Sequence, residues 1–386
     1  MIQALLAKGV HIPAPAAVVV EGVDIDRIEA GVTLHPGTTL RGAKTLLRAG
    51  TQLGKTGGGY FEDISTGKDV DLYGGYFKDA VFLDGVIARG HAEMRGGTLM
   101  EEGSEVGHHA GYKMTITMPF VVAGSLINFC DALIAGGTSR KDHSEVGSCL
   151  ALYNFTPWGD KFASLFGDVP SGVFLKSRRI FIGGQTQIVS PVHVGYGAVI
   201  PAGAAVRRDV PANTLYAEAP FTPGSHDFDP DRYGALTPKF RATMRFIGNL
   251  LALRAWYQEV RIPTACDALQ KALYEAALRQ VEAGISERRK RLEQLVERLP
   301  RSLVLHSQAA TSETRKRCDE HSLVMSLWPQ WSAKLSSNDV PSDAFAAIRE
   351  RVADAESTLA GIASLTDREV QAGTQALQQI VDAAAL

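Results

Sequence analysis

Apolar residues recur every six positions between residues 182 and 206. The run is Ile182, Ile188, Val194, Ile200 and Val206, and glycine or proline directly follows three of them. Neither an α-helix, with about 3.6 residues per turn, nor a lone amphipathic strand, with a period of about two, has this spacing. A period of about six is typical of a parallel β-helix, in which each hexad is one short strand and one corner. We therefore predict that these side chains point into a core of stacked coils.

Two further runs with the same period extend the prediction toward the N-terminus. One is Ala88, Met94, Met100, Val106, Tyr112 and Met118, and the other is Leu34, Leu40 and Leu46. A polar insert at 136–145 and a longer loop at 156–179 interrupt the repeat. We expect the β-helix domain to occupy residues 1–219.

The pattern changes after the last hexad. Residues 220–239 are rich in proline, glycine and aspartate and predict a linker. Residues 240–386 have the apolar spacing of amphipathic helices and predict an α-helical domain. A long helix is expected over 265–299, ended by Pro300. Its basic run, 288–291, is interpreted as a solvated face rather than a nucleic-acid patch, because it stands alone.

Composition narrows the class of protein. The chain has 386 residues and a formal net charge of −2, so neither nucleic acid nor an anionic membrane is indicated as a partner. Its four cysteines lack CxxC spacing, which suits a reducing compartment. No apolar run approaches the roughly 18 residues that a membrane span needs. We therefore expect a cytoplasmic protein.

A glycine-rich segment at 49–63 invites comparison with a phosphate-binding loop. Only three residues separate Gly50 from Gly54, where that motif needs four ahead of Gly-Lys-Thr. A corner or projecting loop of the β-helix is the favoured interpretation.

Four stretches carry a resemblance to a known family. They are "AEMRGGTLMEEGSEVG" (92–107), "VVAGSLINFCDA" (121–132), "VGSCLALYNF" (146–155) and "IFIGGQTQIVSPVHVGYGAVIPAGAAV" (180–206). The segment 88–212 resembles the left-handed β-helix, acetyltransferase half of the bifunctional N-acetylglucosamine-1-phosphate uridyltransferase/glucosamine-1-phosphate acetyltransferase family. The resemblance implies a homotrimer with sites between neighbouring β-helices. That family's nucleotidyltransferase domain has no counterpart here, so uridylyl transfer is not expected.

The resemblance also assigns roles to individual residues. Six residues match or replace residues of the family's sugar pocket: Arg95, Lys113, Ser125, Asn128, Asn154 and Lys161. Two more, Gly184 and Ala202, match positions beside acetyl-CoA. The implied ligand is a phosphorylated or nucleotide-linked amino sugar. An arginine with a lysine is a suitable phosphate clamp, bidentate from one and a point charge from the other.

The position of the general base departs from the family. Ser125 stands where the family has its histidine, and Asn128 replaces a tyrosine. Acyl transfer to an amine needs a nearby group that takes the proton, and a lone serine does not do this. His143, in the polar insert, and His108 are the candidate replacements. The adjacent pair His108–His109 has zinc-ligand chemistry but no third ligand, so no metal is predicted.

Two functions follow from these residues. One is a CoA-dependent acyltransferase acting on the amino sugar, and the other is a catalytically silent protein that binds a sugar nucleotide or serves as a scaffold. The substitution at Ser125 favours the second, whereas Arg95 and Lys113 predict a ligand pocket in either case.

Overall fold

The computed structural model describes residues 1–217, 224, 228–308, 311–335 and 340–385. About ten turns of parallel β-solenoid span residues 19–206, and a helical region follows. The predicted fold, a left-handed β-helix followed by α-helices, is confirmed. The domain limits at 219 and 239 stay a prediction, and 218–223 and 225–227, which include much of the linker, lie outside the described residues.

Each turn of the solenoid contributes strands to three faces, visited in the order 1, 2, 3. Face 1 is built from Thr33–Leu34, Gln52–Leu53, Asp71–Leu72, Ile87–Ala88, Glu105–Val106, Val121–Ala123, Ser144–Val146, Phe181–Ile182 and Val199–Ile200. Face 2 is built from Val19–Glu21, Thr38–Arg41, Gly59–Glu62, Gly75–Lys78, Ala92–Met94, Ala151–Tyr153, Gln187–Val189 and Ala205–Val206. Face 3 is built from Leu46–Leu47, Ser65–Thr66, Ala80–Phe82, Thr98–Met100, Ser164–Phe166 and His193–Val194. Two longer strands, Gly111–Thr117 and Asn128–Ile134, bend from face 2 into face 3.

The hexad period is confirmed by the strand register. Ile182 pairs with Ile200 and Ile188 with Val206, so three hexads complete one turn. All five residues of that run are buried, with at most 1% of each exposed. Gly183 stands at a corner where the next turn lies so close that a Cβ would come within 2.3 Å of the Ala202 nitrogen. The small residue after the aliphatic is therefore required by the stacking of the turns.

Two predicted inward positions are wrong. Leu46 and Met118 are buried, but they pack in the cluster shared with the helices instead of inside the prism. Leu47 takes the inward place next to Leu46. Both exceptions concern face 3, where the outer side is also apolar. Because both neighbouring positions are apolar there, the hexad alone does not say which of them points inward.

Face 3 is buried on both of its sides. Its outward side chains form a paired apolar ladder, Val81, Leu99, Ile116, Leu133 and Leu165, with at most 3% of each exposed. Parallel strands covered on both faces lose the alternation of apolar and polar residues. This explains uninterrupted stretches such as Ala132–Ile134.

The helical region supplies the cover. The helices are α1 Ile2–Ala7, α2 Val169–Gly172, α3 Thr237–Trp256, α4 Ala268–Ser307, α5 Ser312–Lys334, α6 Ala346–Ala353, α7 Thr358–Ala363 and α8 Asp367–Ala384, with a π-helical turn at Tyr257–Arg261 and 3-10 turns at Pro15–Ala17, Ile25–Arg27 and Ser342–Phe345. Helix α4 contacts four strands of face 3, and α3 packs between α4 and α8. No helix in these described parts is long and apolar enough to cross a membrane.

The predicted end of the long helix at Pro300 is wrong. Helix α4 continues to Ser307 with Pro300 inside it. The extra turns are anchored to the segment before α3: the Ser302 hydroxyl accepts from the Tyr233 nitrogen at 2.9 Å, and the His306 ring lies 2.7 Å from the Tyr233 carbonyl. These tertiary bonds offset the backbone bond that proline cannot make.

Candidate functional site

Nearly all residues singled out by sequence lie on face 2 or at its two corners. His143 is the exception. The outward side chains of face 2 at Glu93, Lys113, Asn128 and Gln187 are exposed, because the helices cover face 3 instead. Face 2 is therefore an accessible side of the solenoid on which these residues can meet a ligand.

One row of outward side chains on face 2 carries charge along the solenoid. In the first turns each cation has an acidic neighbour one turn away: Arg41 lies 2.8 Å from Glu21, and Lys78 lies 3.0 Å from Glu62. Two consecutive cations, Arg95 and Lys113, come next on the row. The alternation of acidic and basic side chains along this row thus stops at Arg95 and Lys113, where positive charge is in excess.

Arg95 and Lys113 lie level with each other on neighbouring strands. The Arg95 nitrogen donates to the Tyr112 carbonyl at 2.9 Å, and Lys113 pairs in register with Cys130 on the following turn. Arg95 is 3.2 Å from Glu93, whereas Lys113 has no carboxylate within 4.0 Å in the described ranges. The two cations can therefore contact one anion from adjacent strands.

Lys161 lies near this pair, because Arg288 bridges its carbonyl to Asp131, the neighbour of Cys130. Burial and the Asp131 carboxylate raise the pKa of Cys130, against the opposing influence of Arg95, Lys113 and Lys161. We call these three cations with Cys130 the basic column. A thiol whose pKa is raised is a poor nucleophile at neutral pH. The cations are thus the chemically important part of the column.

A buried carboxylate supports the basic column from beneath. Asp131 is only 5% exposed and accepts hydrogen bonds from Asn154 and from Arg288 of helix α4. Arg288 also donates to the Lys161 carbonyl at 3.2 Å. One arginine of the helical region therefore holds both predicted sugar-pocket residues, Asn154 and Lys161, against the solenoid.

The interpretation of residues 288–291 as a solvated face is wrong for Arg288, which is 1% exposed. A signal for this was present in the sequence: Arg288 lies three residues after Ile285 and four before Leu292, on the apolar stripe of α4. A cation on such a stripe requires a buried partner. The sequence did not show that this partner is Asp131.

The corner between faces 1 and 2 gathers a second set of predicted residues. His108, Ser125, Gly184 and Ala202 occupy equivalent places on successive turns, with Ser148 between Ser125 and Gly184. The His108 nitrogen donates to Ser125 Oγ and the Ser125 nitrogen to Ser148 Oγ, each at 3.1 Å. We call this row the small-residue corner; beyond Ser125 it presents mostly backbone to solvent.

The small-residue corner and the basic column lie at opposite ends of the face 2 strands. Asn128 stands near the small-residue corner, where it pairs with Gly111 and Ala151. Gly111 and Ala151 leave open space between the corner and the column. Gly184 and Ala202 lie three and four turns beyond the turn that carries His108 and Lys113, so the predicted CoA residues and the predicted phosphate clamp are offset along face 2.

His143 lies on a different edge. It belongs to the insert between faces 3 and 1, where its Nδ1 is 2.9 Å from the Arg140 carbonyl. Arg140 in turn lies 3.2 Å from Glu105 on face 1. Within one chain, His143 therefore does not lie beside the basic column, whereas His108 is on the same face.

Comparison with known proteins agrees with the fold class. The solenoid defines a hexapeptide-repeat β-helix like the acetyltransferase region of GlmU. Bifunctional protein GlmU of Streptococcus agalactiae serotype V is 24% identical over 216 residues, covering 54% of this chain and 41% of the relative. The Bdellovibrio bacteriovorus and Burkholderia mallei proteins of the same name are 26% and 27% identical, covering 55% of this chain and 42% of each relative.

The chain thus spans about two fifths of the length of these curated relatives, to which it is distantly related. No family model matches it.

Proposed function

We propose that this protein binds a phosphorylated or nucleotide-linked amino sugar on face 2 of its solenoid. The observation that carries the proposal is the basic column, in which Arg95 and Lys113 lie level on adjacent strands and Lys161 completes the set. Arginine binds phosphate oxygens through paired donors, and lysine adds a mobile point charge. The distant relation to bifunctional protein GlmU supports the same ligand class.

The surface beside the column suits a sugar ring. Gly111 and Ala151 have little or no side chain, so a ring can lie against the strands. The exposed Asn128 amide offers both a donor and an acceptor to hydroxyl or acetamido groups. Asn154, whose amide donates to Asp131, would lie at the end of this surface next to the sugar phosphate.

CoA-dependent acyl transfer is the second candidate, favoured by His108 lying on the small-residue corner with Gly184 and Ala202. The backbone there fits an extended cofactor arm, since no large side chain projects from either residue. Acetyl-CoA, when bound, supplies the activated acyl group. His108, which is exposed, would take the proton from the sugar amine through its imidazole, and the Ser125 hydroxyl would fix the His108 backbone.

His143 would serve as the base only for a ligand held by a neighbouring chain, because of its place on another edge. Without either histidine acting, the protein would be a catalytically silent sugar-nucleotide-binding or scaffold protein.

An assay of thiol release from acetyl-CoA with glucosamine-1-phosphate separates these possibilities. We expect the His108→Ala variant to lose activity. If the His108→Ala and His143→Ala variants are both fully active, neither histidine is the general base.

Binding is tested first, by calorimetry with glucosamine-1-phosphate and with UDP-N-acetylglucosamine. We expect Arg95→Ala and Lys113→Ala each to weaken binding about tenfold, which corresponds to about 1.4 kcal/mol. Arg41→Ala is the matched control, because Arg41 lies on the same row but is paired with Glu21. Unchanged titrations in both site variants, or no binding of either sugar by the wild type, would contradict the proposal.

A further inference from the structure

A second basic surface lies away from the sites above. A cavity of about 720 Å³ opens between the last turns of the solenoid and helices α3 and α8. Five cationic side chains line it: Arg207, Arg208, Lys239, Arg241 and Arg245. Two acids, Asp209 and Asp382, are the carboxylates among its lining residues. Cations therefore outnumber carboxylates among the lining residues.

Both acids already have partners. Asp209 lies 2.7 Å from Arg245 and accepts from the His193 nitrogen at 2.8 Å. Asp382 accepts from Gln378 at 2.8 Å. Neither Lys239 nor Arg241 has a carboxylate within 4.0 Å in the part of the chain that the structure describes. Arg241 therefore faces the cavity without a carboxylate beside it among those residues, whereas Asp160 and Glu320 attract Lys239 from beyond 4.0 Å.

Two aromatic rings lie beside the Lys239 ammonium, and the Asp160 and Glu320 carboxylates attract it from beyond 4.0 Å. The ammonium lies 4.8 Å from the centre of the Trp158 ring and 5.5 Å from that of Phe162. Burial lowers the pKa of Lys239. Contact with the ring faces offsets part of the cost of desolvating the ammonium.

Three of these cations lie near the start of α3. Lys239, Arg241 and Arg245 all lie within the first nine residues of the helix, and its first turn contains no acidic residue. The N-terminus of a helix carries partial positive charge and disfavours cations. The Glu320 carboxylate already accepts from the Leu236 and Thr237 nitrogens at this end, at 3.0 and 2.7 Å, so a ligand would be held by the cationic side chains and not by the helix terminus.

We propose that this cavity binds a small molecule that carries two or more phosphate groups. Several cations around one opening match a polyphosphate better than a single carboxylate, since each can take a separate oxygen. Val189, Ala242 and Val381 provide an apolar wall for the rest of the ligand. The volume is in the range of about 300–1,000 Å³ that small-molecule sites occupy. The cavity lies further along face 2 than the basic column, since Val189 belongs to a face 2 strand, and none of Arg95, Lys113 and Lys161 lines it.

Calorimetric titration of the full chain at constant ionic strength tests this, with pyrophosphate, ADP and coenzyme A as probes. We expect at least one probe to bind, and Arg241→Gln and Lys239→Met each to weaken it at least fivefold. Binding by pyrophosphate assigns the site to the phosphates alone, whereas binding by only ADP or only coenzyme A identifies the organic part that the apolar wall requires.

Two controls make the result specific. Arg279→Gln removes an exposed arginine of α4, and the double variant Arg95→Ala/Lys113→Ala removes the clamp on face 2. Arg279→Gln should bind the probe within twofold of the wild type, and the double variant should keep the binding event that Arg241→Gln weakens. The proposal is overturned if no probe binds at millimolar concentration, if Arg279→Gln weakens binding as much as Arg241→Gln, or if only the face 2 double variant loses it. Because Arg241 is exposed, its variant keeps the test valid even if Lys239→Met fails to fold.

Discussion

At the scale of single residues, buried charges decide how the solenoid and the helices are joined. Arg288 reaches Asp131, and Arg261 donates to Glu102 at 2.5 and 3.0 Å, with both arginines about 1% exposed. Removing one partner of such a pair leaves an uncompensated charge in a medium that solvates it poorly. Each pair therefore fixes one orientation of the helical region more strictly than apolar contact alone would.

Arg288→Met should destabilise the protein by about 3–5 kcal/mol, because Asp131 stays buried without its partner. It should also weaken sugar-phosphate binding, since Lys161 and Asn154 lose a common anchor. Urea unfolding and calorimetry measure the two effects. Lys290→Met, two residues away and exposed, is the control, and Arg288→Met/Asp131→Asn should recover part of the lost stability. Equal stability of Arg288→Met and the wild type would refute the role of this pair.

Glu101 should make stability depend on pH. Burial raises the pKa of Glu101 to about 7, with Glu102 adding to the increase and Arg261 opposing it. Between the ordinary value of about 4.3 and pH 7, the folded state keeps a proton that the unfolded state releases. Stability contributed by this group is therefore full below that window and lost as the pH rises through it.

Glu101→Gln should remove that loss, because glutamine stays neutral and still accepts the hydrogen bond that Tyr257 donates at 2.5 Å. In thermal melts from pH 5 to 8, the stability of the variant relative to the wild type should increase as the pH rises, by on the order of 1–3 kcal/mol. Glu297→Gln, an exposed change on α4, should follow the wild type. A profile of Glu101→Gln parallel to that of the wild type would show that Glu101 is ionised throughout.

At the scale of elements, face 3 and helix α4 depend on each other. The ladder from Val81 to Leu165 is apolar on its outer side, and α4 presents Leu273, Val281 and Leu292 to the same cluster. A single solenoid face would otherwise expose a continuous apolar strip, which soluble proteins avoid.

Leu133→Ala should cost about 2–5 kcal/mol, as cavities in packed cores do. Val199→Ala, which truncates a side chain 37% exposed on face 1, should cost less than about 1 kcal/mol. Chemical unfolding of both variants checks the difference. Similar small losses would mean that α4 is only loosely attached to face 3.

At the scale of the whole molecule, the covered face limits how copies of the chain can assemble. The predicted homotrimer cannot use face 3, which its own helices occupy. Face 1 instead presents an exposed apolar row in its last turns, with Phe181 paired to Val199 and Val199 to Leu215. Trimer contacts are therefore expected near this row and the adjoining small-residue corner.

Light scattering should give a mass three times that of the 41.5 kDa chain. Phe181→Glu should lower it, because a charge would be buried at the contact. Tyr76→Glu, an exposed change on face 2 in an earlier turn, should leave the mass unchanged. A monomeric wild type would contradict the homotrimer.

The inward side chains and the corners of the solenoid could be predicted from the sequence because they depend on local spacing. Ile182 and Ile200 occupy equivalent places by repetition alone, and the adjacency of Arg95 and Lys113 follows from one turn of eighteen residues. The partner of Arg288 could not be predicted, since nothing local relates residue 288 to residue 131. The same holds for Leu46, which packs in the cluster shared with the helices.

The sequence by itself determined the period of the coils, the helical character of the last third, and the row that carries the basic column. Those features come from short-range geometry, in which one residue constrains the next few. Tertiary structure decided which face the helices cover, that Arg288 is buried beneath the basic column, and that His108 shares a face with the cations while His143 does not. These outcomes depend on contacts between segments far apart in the chain, where burial and charge pairing select one packing among many that local spacing permits.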